Sequence, residues 1–393
     1  MFWKRNGSGQ GNLEIESQVS QFYIPPGFID LGLGDPQSSL LPLDIFRKAG
    51  MECFDQDDPG FLQYGFEKGL GIFRRSLADF LARGYSFPVD PECLFITNGA
   101  SMGLHLICDL FTRPGDTVFV EEPTYFLALR IFADRDLHLV PIQTDKDGLL
   151  IESLEEKLSE TRPKFLYLIP TYQNPTGQTL SPERRIRLLT LSRQHEFLVV
   201  ADEVYHFLKY SGPSPRPFAA DSGAGNVISL SSFSKILAPG LRLGWIQSSQ
   251  SILERFTNCG LLDSGGGMNP FTSAIVSRVV ENGSLNENIA QLITTFRQRI
   301  ASMDAALRRI LPGTEYALPQ GGYFFWIRLP NRIKAADLQK HAANFKVGFR
   351  SGSLFSSEGG MEEFLRLSFV YYGSDDIERG VLRIKQCLDS IED

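Results

Sequence analysis

The sequence SSFSKILAPGLRLGW at residues 231–245 decides how the rest of the chain is interpreted. A single lysine, Lys235, lies among small hydroxyl residues after a predicted strand at 226–230, and Arg242 follows it closely. A lysine amine can form an imine with a carbonyl compound, and the charged fork of arginine binds phosphate. The stretch therefore predicts cofactor chemistry at the carboxyl end of a strand.

The composition of the chain favours small-molecule chemistry. Its 393 residues are enough for two domains with a sizeable core. The formal net charge is -7, and no run of lysine or arginine forms a basic stripe. Nucleic-acid binding is therefore not expected.

The cysteines and the N-terminal residues bear on the compartment. The five cysteines are scattered and form no C-x-x-C pair, which indicates reduced thiols rather than disulfides or a zinc site. The histidines also lack a metal-binding spacing, so no metal is expected. Polar residues follow Lys4 and Arg5 where a signal peptide needs an apolar core, and the longest uncharged stretch, near 93–108, is too polar to span a membrane. These features predict a soluble, cytoplasmic protein.

Short apolar runs alternate with helical patterns from residue 94 to residue 202, as in stacked βαβ units with a mostly parallel sheet. The predicted strands of this sheet are 94–97, 117–120, 137–141, 165–169, 197–201, 226–230 and 244–247. The helices predicted between them are 101–110, 124–132, 151–158 and 181–195. Beyond residue 247 the pattern changes to helices at 271–281 and 285–311 and to short strands at 323–329, 346–349 and 364–369, which is typical of a smaller α+β domain.

The predicted strands end in polar or aromatic residues, and ligands of open parallel sheets bind at such ends. Gly99, Ala100 and Ser101 begin a helix after a strand, where free backbone N–H groups form an anion site. Tyr125 follows the next strand, where its ring either stacks on a planar cofactor or, as the default, packs in the core. Asn174 lies in a proline- and glycine-rich turn that leaves its side-chain amide free to donate a hydrogen bond.

Two charged residues occupy apolar surroundings in the sequence. Asp202 comes directly after an apolar run, so we expect a buried carboxylate that needs a cationic partner, whereas Glu203 is expected to be a solvated neighbour. Arg366 lies inside an apolar strand and needs an anion, either a substrate carboxylate or a structural salt bridge. Gly34 marks either a backbone that approaches the substrate closely or an ordinary turn.

The order and spacing of these motifs resemble those of the fold type I pyridoxal phosphate (PLP) enzymes of the class I/II aminotransferase family. The resemblance covers residues 31–382 and is carried by GAS at 99–101, Tyr125, NPTG at 174–177, Asp202 with Tyr205, SFSK at 232–235, Arg242, and LRLSF at 365–369. It implies an α/β fold with a mostly parallel, seven-stranded-type sheet in a large PLP-binding domain and a smaller α+β domain. The expected division is an N-terminal arm at 1–30, a large domain at 55–280, and a small domain made of 31–54 and 281–393.

The resemblance also implies roles for individual residues. The implied catalytic residues are Lys235, Asp202 and Tyr205. Lys235 is implied to hold PLP as a Schiff base and to move the substrate proton, and Asp202 to pair with the pyridine nitrogen. Tyr205, together with Asn174, is implied to donate to the ring hydroxyl oxygen. Tyr125 stacks on the ring. The phosphate is implied to be held by Gly99, Ala100, Ser101, Ser232, Ser234, Arg242 and, from the neighbouring subunit of a homodimer with shared active sites, Tyr64. Arg366 is implied to bind the substrate α-carboxylate with Gly34 and Asn174.

The function implied by the resemblance is a PLP-dependent aminotransferase acting between an L-amino acid and a 2-oxo acid such as 2-oxoglutarate. The phrases GLRLGW at 240–245 and QGGYFFW at 320–326 are similar to the branch with 2-aminoadipate, aromatic and kynurenine-type enzymes. No arginine lies between residues 13 and 46, which favours apolar or aromatic donors over dicarboxylic ones. A PLP-dependent lyase, such as a C–S β-lyase, remains open because it needs the same residues. A cofactor-binding regulator is disfavoured by the absence of basic excess and of a DNA-binding segment before residue 31.

Overall fold

The computed structural model describes residues 24–56, 58–330 and 333–392. Of residue 392 it describes only the backbone. Most of the predicted arm at 1–30 lies outside the described residues. The boundaries expected for the arm and the two domains therefore remain a prediction.

The strands, in chain order, belong to three sheets. They are β1 (Ile29–Asp30), β2 (Leu94–Thr97), β3 (Thr117–Glu122), β4 (His138–Asp145), β5 (Gly148–Leu149), β6 (Phe165–Leu168), β7 (Leu198–Asp202), β8 (Val227–Ser232), β9 (Gly244–Gln247), β10 (Phe324–Arg328), β11 (Val347–Gly348), β12 (Arg350–Ser351) and β13 (Phe364–Ser368). The α-helices are α1 (Leu43–Phe54), α2 (Gly71–Tyr85), α3 (Ala100–Phe111), α4 (Phe126–Ala133), α5 (Ile151–Glu160), α6 (Pro182–Gln194), α7 (Gln250–Thr257), α8 (Gly260–Gly265), α9 (Pro270–Glu281), α10 (Ser284–Ile310), α11 (Ala335–Ala342) and α12 (Ser374–Glu392).

The central sheet has the strand order β2-β9-β8-β7-β6-β3-β4-β5. Strands β8, β7, β6, β3 and β4 are parallel to one another, whereas β9 is antiparallel to both β2 and β8. The expected α/β class with a mostly parallel sheet is confirmed. The structure adds an eighth strand to the seven predicted ones, because the chain turns back after β4 and pairs β5 antiparallel to it.

The central strands form because their apolar runs are buried on both faces of the sheet, as in parallel sheets covered by helices. Along β6, Phe165 and Tyr167 pack into one core cluster and Leu166 and Leu168 into a second one. Successive side chains of a strand point to opposite faces, which explains this division. The carboxyl ends of β6, β7 and β8 consequently lie along one edge.

The remaining strands form two small sheets. Strands β10, β13 and β12 form an antiparallel sheet in that order, and β1 pairs parallel to β11. Trp326 of β10 and Arg350 of β12 both lie opposite Arg366 of β13. Because directly opposite residues in a sheet share a face, this register fixes the surroundings of Arg366. No helix within the described residues is long and apolar enough to cross a membrane.

Candidate active site

An anion-binding cradle lies at the N-terminus of α3. Gly99 caps the helix with φ +84°, and a Cβ at this position would lie 2.7 Å from the guanidinium of Arg242. The positive φ and the close approach both favour glycine. The free N–H groups of Ala100 and Ser101 and the arginine fork therefore converge, which is the arrangement that binds a phosphate.

Two serines at the end of β8 lie close to this cradle. Ser232 pairs with Gly244 of β9, which in turn pairs with Thr97 of β2, directly before the cradle. The hydroxyl groups of Ser232 and Ser234 are 2.9 Å apart and hydrogen bonded. The adjacent strands thus bring the predicted phosphate ligands of one subunit to the same sheet edge.

Lys235 lies just beyond these serines and is largely enclosed. Its Nζ donates to the carbonyl oxygen of Gly34 at 2.9 Å, and its own carbonyl oxygen accepts from the hydroxyl of Tyr323 at 3.0 Å. Burial lowers the pKa of Lys235, against the opposing charge of Asp35. A lowered pKa increases the share of neutral amine, which is the form that acts as a nucleophile.

Asp202 ends β7 with a buried carboxylate. Its Oδ2 accepts from the hydroxyl of Tyr167 at 2.9 Å, and burial raises its pKa to about 6. Among the residues that the structure describes, no lysine, arginine or histidine forms a salt bridge with it. Its expected cationic partner is therefore not supplied by the described residues, and a protonated ring nitrogen suits this position. Tyr205 is buried nearby, with its ring 5.4 Å from that of Tyr323.

The expectation that Glu203 is solvated is wrong. Glu203 is fully buried and accepts from the backbone N–H groups of Phe218 and Ala219 at 2.8 and 3.1 Å and from the hydroxyl of Ser229 at 2.7 Å. The 3-10 segment Phe218–Ala224 covers it, which local sequence does not reveal. Its role is to anchor that segment to the sheet.

Arg366 is a buried guanidinium that lacks a carboxylate. Its Nη1 donates to Oδ1 of Asn174 at 2.8 Å and its Nη2 to the carbonyl oxygen of Gly32 at 2.9 Å, while its Nε has no partner. No ion pair with Arg366 occurs across residues 24–56, 58–330 and 333–392. Burial lowers its pKa to about 9. The structural salt bridge that the sequence left open is thus absent from the described part of the chain.

Three phenyl rings surround this guanidinium. Its central carbon lies 3.8 Å from the ring centroid of Phe324, 4.9 Å from that of Phe355 and 5.9 Å from that of Phe126. Aromatic faces attract cations and exclude water, so they hold the fork in place for an incoming anion. Because Oδ1 of Asn174 accepts from Arg366, its amide nitrogen is left to donate elsewhere.

The structure places the other predicted residues as follows. Tyr125 caps α4, and burial, with Asp202 beside it, raises its pKa to about 12. The carbonyl oxygen of Gly34 accepts a hydrogen bond from Lys235. The carbonyl oxygen that accepts from Arg366 is that of Gly32. Tyr64 is 83% exposed and makes no hydrogen bond with the described residues of its own chain. Within the described residues, no hydrogen bond joins Tyr64 to the candidate site of its own chain.

Sequence reasoning missed a polar network beneath Asn174. Glu121 is buried and accepts from the backbone N–H of Ile169 at 2.8 Å and from Nε2 of Gln173 at 3.4 Å. Gln173 also donates to the carbonyl oxygen of Pro123 at 2.7 Å and accepts from the N–H of Thr176 at 2.9 Å. This network fixes the turn that carries Asn174. Only the position of Gln173 next to Asn174 hinted at such a role.

The Glu121→Gln variant is expected to gain stability over the wild type as the pH rises from 5 to 8. Burial raises the pKa of Glu121 from its usual 4.5 to about 8, so the folded state keeps a proton that the unfolded state loses, and wild-type stability falls across this window. The difference in unfolding free energy should change by at most about 1.4 kcal/mol per pH unit. Denaturant unfolding at several pH values checks this, with Glu122→Gln as the control. A difference that stays flat with pH contradicts a protonated Glu121.

A lysine amine with a lowered pKa and an anion cradle on one sheet edge meet the requirements for holding a phosphorylated aldehyde, as PLP enzymes do. Gly99 leaves room for the phosphate beside Arg242, and Asp202 offers an unpaired carboxylate to the ring nitrogen. The residues present fit this cofactor.

Comparison with known proteins identifies the family. The family model for aminotransferase class I and II matches residues 26–384. The chain is 33% identical to aromatic-amino-acid aminotransferase 1 of Thermococcus litoralis over 92% of this chain and 88% of that protein. It is 29% identical to 2-aminoadipate transaminase of Thermus thermophilus over 98% and 96% of the two chains. The structure of Pyrococcus horikoshii kynurenine aminotransferase with PMP, kynurenine and its product superposes with a TM-score of 0.87 at 32% identity over 93% of this chain and 92% of that one.

The chain therefore belongs to the class I and II aminotransferase family. It is a PLP-dependent aminotransferase of fold type I, as its resemblance implied.

Proposed function

We propose that this enzyme transfers the amino group of an L-amino acid with a large apolar or aromatic side chain to a 2-oxo acid such as 2-oxoglutarate. The observation that carries the proposal is the buried guanidinium of Arg366, which lacks a carboxylate among the described residues and is surrounded by the rings of Phe324, Phe355 and Phe126. The cation suits an α-carboxylate, and the rings suit an apolar side chain. The names of the relatives, which include aromatic amino acids and kynurenine, support the same substrate class.

Each residue has a proposed task in the reaction. When bound, PLP supplies a carbonyl group for the amino group and a ring that withdraws electrons from the substrate Cα. Nζ of Lys235 would remove the proton from the substrate Cα and pass it to the cofactor carbon that takes up the amino group. Arg366 orients the substrate through its α-carboxylate, and Asp202 stabilises the positive charge on the ring nitrogen. Asn174 and Tyr205 would donate to the ring hydroxyl oxygen, and Tyr125 would pack against the ring.

We also propose that two domains contribute different residues to the active site. The large domain, expected at 55–280, contributes the cofactor ligands, and the small domain, made of 31–54 and 281–393, contributes Arg366. This division is supported by the separation of the central sheet from the sheet β10-β13-β12. Arg366 and Asn174 join the two domains by a direct hydrogen bond of 2.8 Å, so substrate binding and domain contact share one residue.

Half-reactions with single donors test the proposed transamination. Amino acids are added one at a time to the PLP-loaded protein without an acceptor, and the absorbance of the cofactor is recorded. We expect aromatic donors to convert the cofactor to the pyridoxamine form once per site, and 2-oxoglutarate to reverse the change. A lyase would instead release ammonia and a 2-oxo acid over many turnovers with the cofactor band unchanged. No cofactor band at all would contradict the proposal.

We propose a homodimer in which Tyr64 reaches the phosphate site of the neighbouring subunit. Tyr64 belongs to a part of the chain, residues 43–66, that is rich in exposed apolar side chains, which a monomer would leave in water. These side chains are Leu43, Met51, Phe54, Leu62 and Phe66.

We also propose that the protein is cytoplasmic, in keeping with its five unpaired cysteines.

Mixing two inactive variants tests the shared site. A dimer of Lys235→Ala and Tyr64→Ala subunits contains one site with both residues intact if Tyr64 acts across the interface. Random exchange of subunits should therefore restore activity to about a quarter of the wild-type value, because half of the dimers are mixed and each has one intact site. An activity equal to the mean of the separate variants would show that Tyr64 serves its own subunit. Light scattering before and after mixing checks the dimer.

A further inference from the structure

The segment after β1 carries Asp35 past two residues of the candidate site. The preceding carbonyl oxygen, of Gly34, accepts from Nζ of Lys235 at 2.9 Å. A Cβ on Gly34 would lie 3.3 Å from the ring of Phe324, so the backbone passes directly between two site residues. Asp35 is the next residue along the chain.

The path of this segment is fixed on its far side as well. The N–H of Gln37 donates to the carbonyl oxygen of Val370 at 3.4 Å, and its side-chain oxygen accepts from the guanidinium of Arg299. Arg299 is itself buried in α10. Asp35 therefore lies between two anchored residues and is half-buried, so its carboxylate has a restricted position.

The charge of Asp35 acts on the reacting region. Within the described ranges its carboxylate accepts no hydrogen bond and forms no ion pair. It is the strongest charge that opposes the lowering of the pKa of Lys235 by burial. It also adds to the effect of burial in raising the pKa of Tyr323, and acts on Tyr125 in the same direction. Lys235 and Tyr323 are in direct contact, since the Tyr323 hydroxyl donates to the carbonyl oxygen of Lys235 at 3.0 Å.

We propose that Asp35 is a specificity-determining residue of this site: its carboxylate disfavours substrates that carry a second carboxylate and so favours neutral side chains. The site then holds opposite charges with separate tasks. Arg366 binds the α-carboxylate, which every substrate has, and Asp35 repels a carboxylate on the side chain. The inference rests on the proposed function and specifies the charge of the side chain that the site accepts.

The expected effect is moderate because the site is partly solvated. Two like charges separated by several Å in such surroundings repel each other enough to change affinity about tenfold. A neutral side chain meets no such repulsion, so the residue acts on the ratio between substrate classes rather than on turnover in general.

Asp35→Asn removes the charge and keeps the size of the side chain. We expect the ratio of kcat/KM for L-glutamate to that for L-phenylalanine to rise about tenfold. Asp35→Ser, which also lacks the charge, should raise the ratio in the same way. Asp44→Asn on the exposed surface of α1 changes the net charge equally and should leave the ratio unchanged.

Binding of acids that cannot react gives a second measurement, independent of turnover. By calorimetry, Asp35→Asn should bind glutarate about tenfold more tightly than the wild-type holoenzyme and bind 3-phenylpropanoate within twofold of it. Equal changes for both acids would overturn the proposal, because they would show that Asp35 acts on what all substrates share or only on folding. If the wild type transaminates no donor, the proposed function fails, whereas the two acids still test Asp35.

Discussion

Lys235→Ala is expected to abolish transamination, with a loss of activity on the order of 10⁵-fold or more, as found when a group serving as both nucleophile and base is removed. Nζ of Lys235 is the amine beside the anion cradle, and it is held by Gly34 at 2.9 Å. The variant should retain PLP through the phosphate ligands but lose the visible absorbance of covalently bound cofactor.

The measurements for this variant are the absorbance spectrum after dialysis and the rate of the half-reaction with an aromatic donor. A matched control is Lys209→Ala, since Lys209 is bonded to Ser214 on the exposed surface and should keep both properties. Substantial activity in Lys235→Ala would mean that another amine carries out the chemistry, and the assignment of the site would be wrong.

Arg366→Lys is expected to lower kcat/KM for aromatic donors by on the order of 100- to 1000-fold, as for the loss of one partner in a buried charge pair. Lysine keeps the positive charge but lacks the planar fork that grips a carboxylate by two bonds. It also cannot donate to Asn174 and Gly32 at once with the geometry that Arg366 has. Binding of 3-phenylpropanoate, measured by calorimetry, should weaken in parallel.

We do not expect removal of the Arg366 guanidinium to lower the stability of the protein. Arg366→Leu removes a buried cation that no carboxylate of the described residues compensates, and burying an unpaired charge is costly. We therefore expect the unliganded Arg366→Leu protein to unfold at a denaturant concentration no lower than that of the wild type. Arg328→Gln, on the neighbouring strand and exposed, is the control for activity. Marked destabilisation by Arg366→Leu would show that the guanidinium is structural.

Local sequence predicted the scaffold because local patterns reflect burial. Apolar runs such as that of β7 become strands buried on both faces, and the residue after the run, Asp202, comes to the edge where the strands end. The lysine stretch at the end of β8 and the glycine at the start of α3 were predicted for the same reason. Each of these positions depends only on residues a few places away in the chain.

The candidate site could be predicted only in part, because its contacts join residues far apart in sequence. Nothing near Arg366 indicates that its guanidinium meets Asn174, which is 192 residues away, or that three phenyl rings surround it. Glu203 was misjudged because a distant segment covers it. Glu121 and Gln173 were overlooked because a carboxyl and an amide acquire a structural role only when packing brings them together.

By itself, the sequence predicted seven of the eight strands of the central sheet, the family and a set of candidate site residues. Tertiary structure alone decided which of these groups lack a partner, which are shielded from water and which act on one another, as Asp35 acts on Lys235. The physical reason is that secondary structure follows the periodicity of burial along a few residues, whereas desolvation and charge interactions depend on distances between residues that only the folded chain brings together.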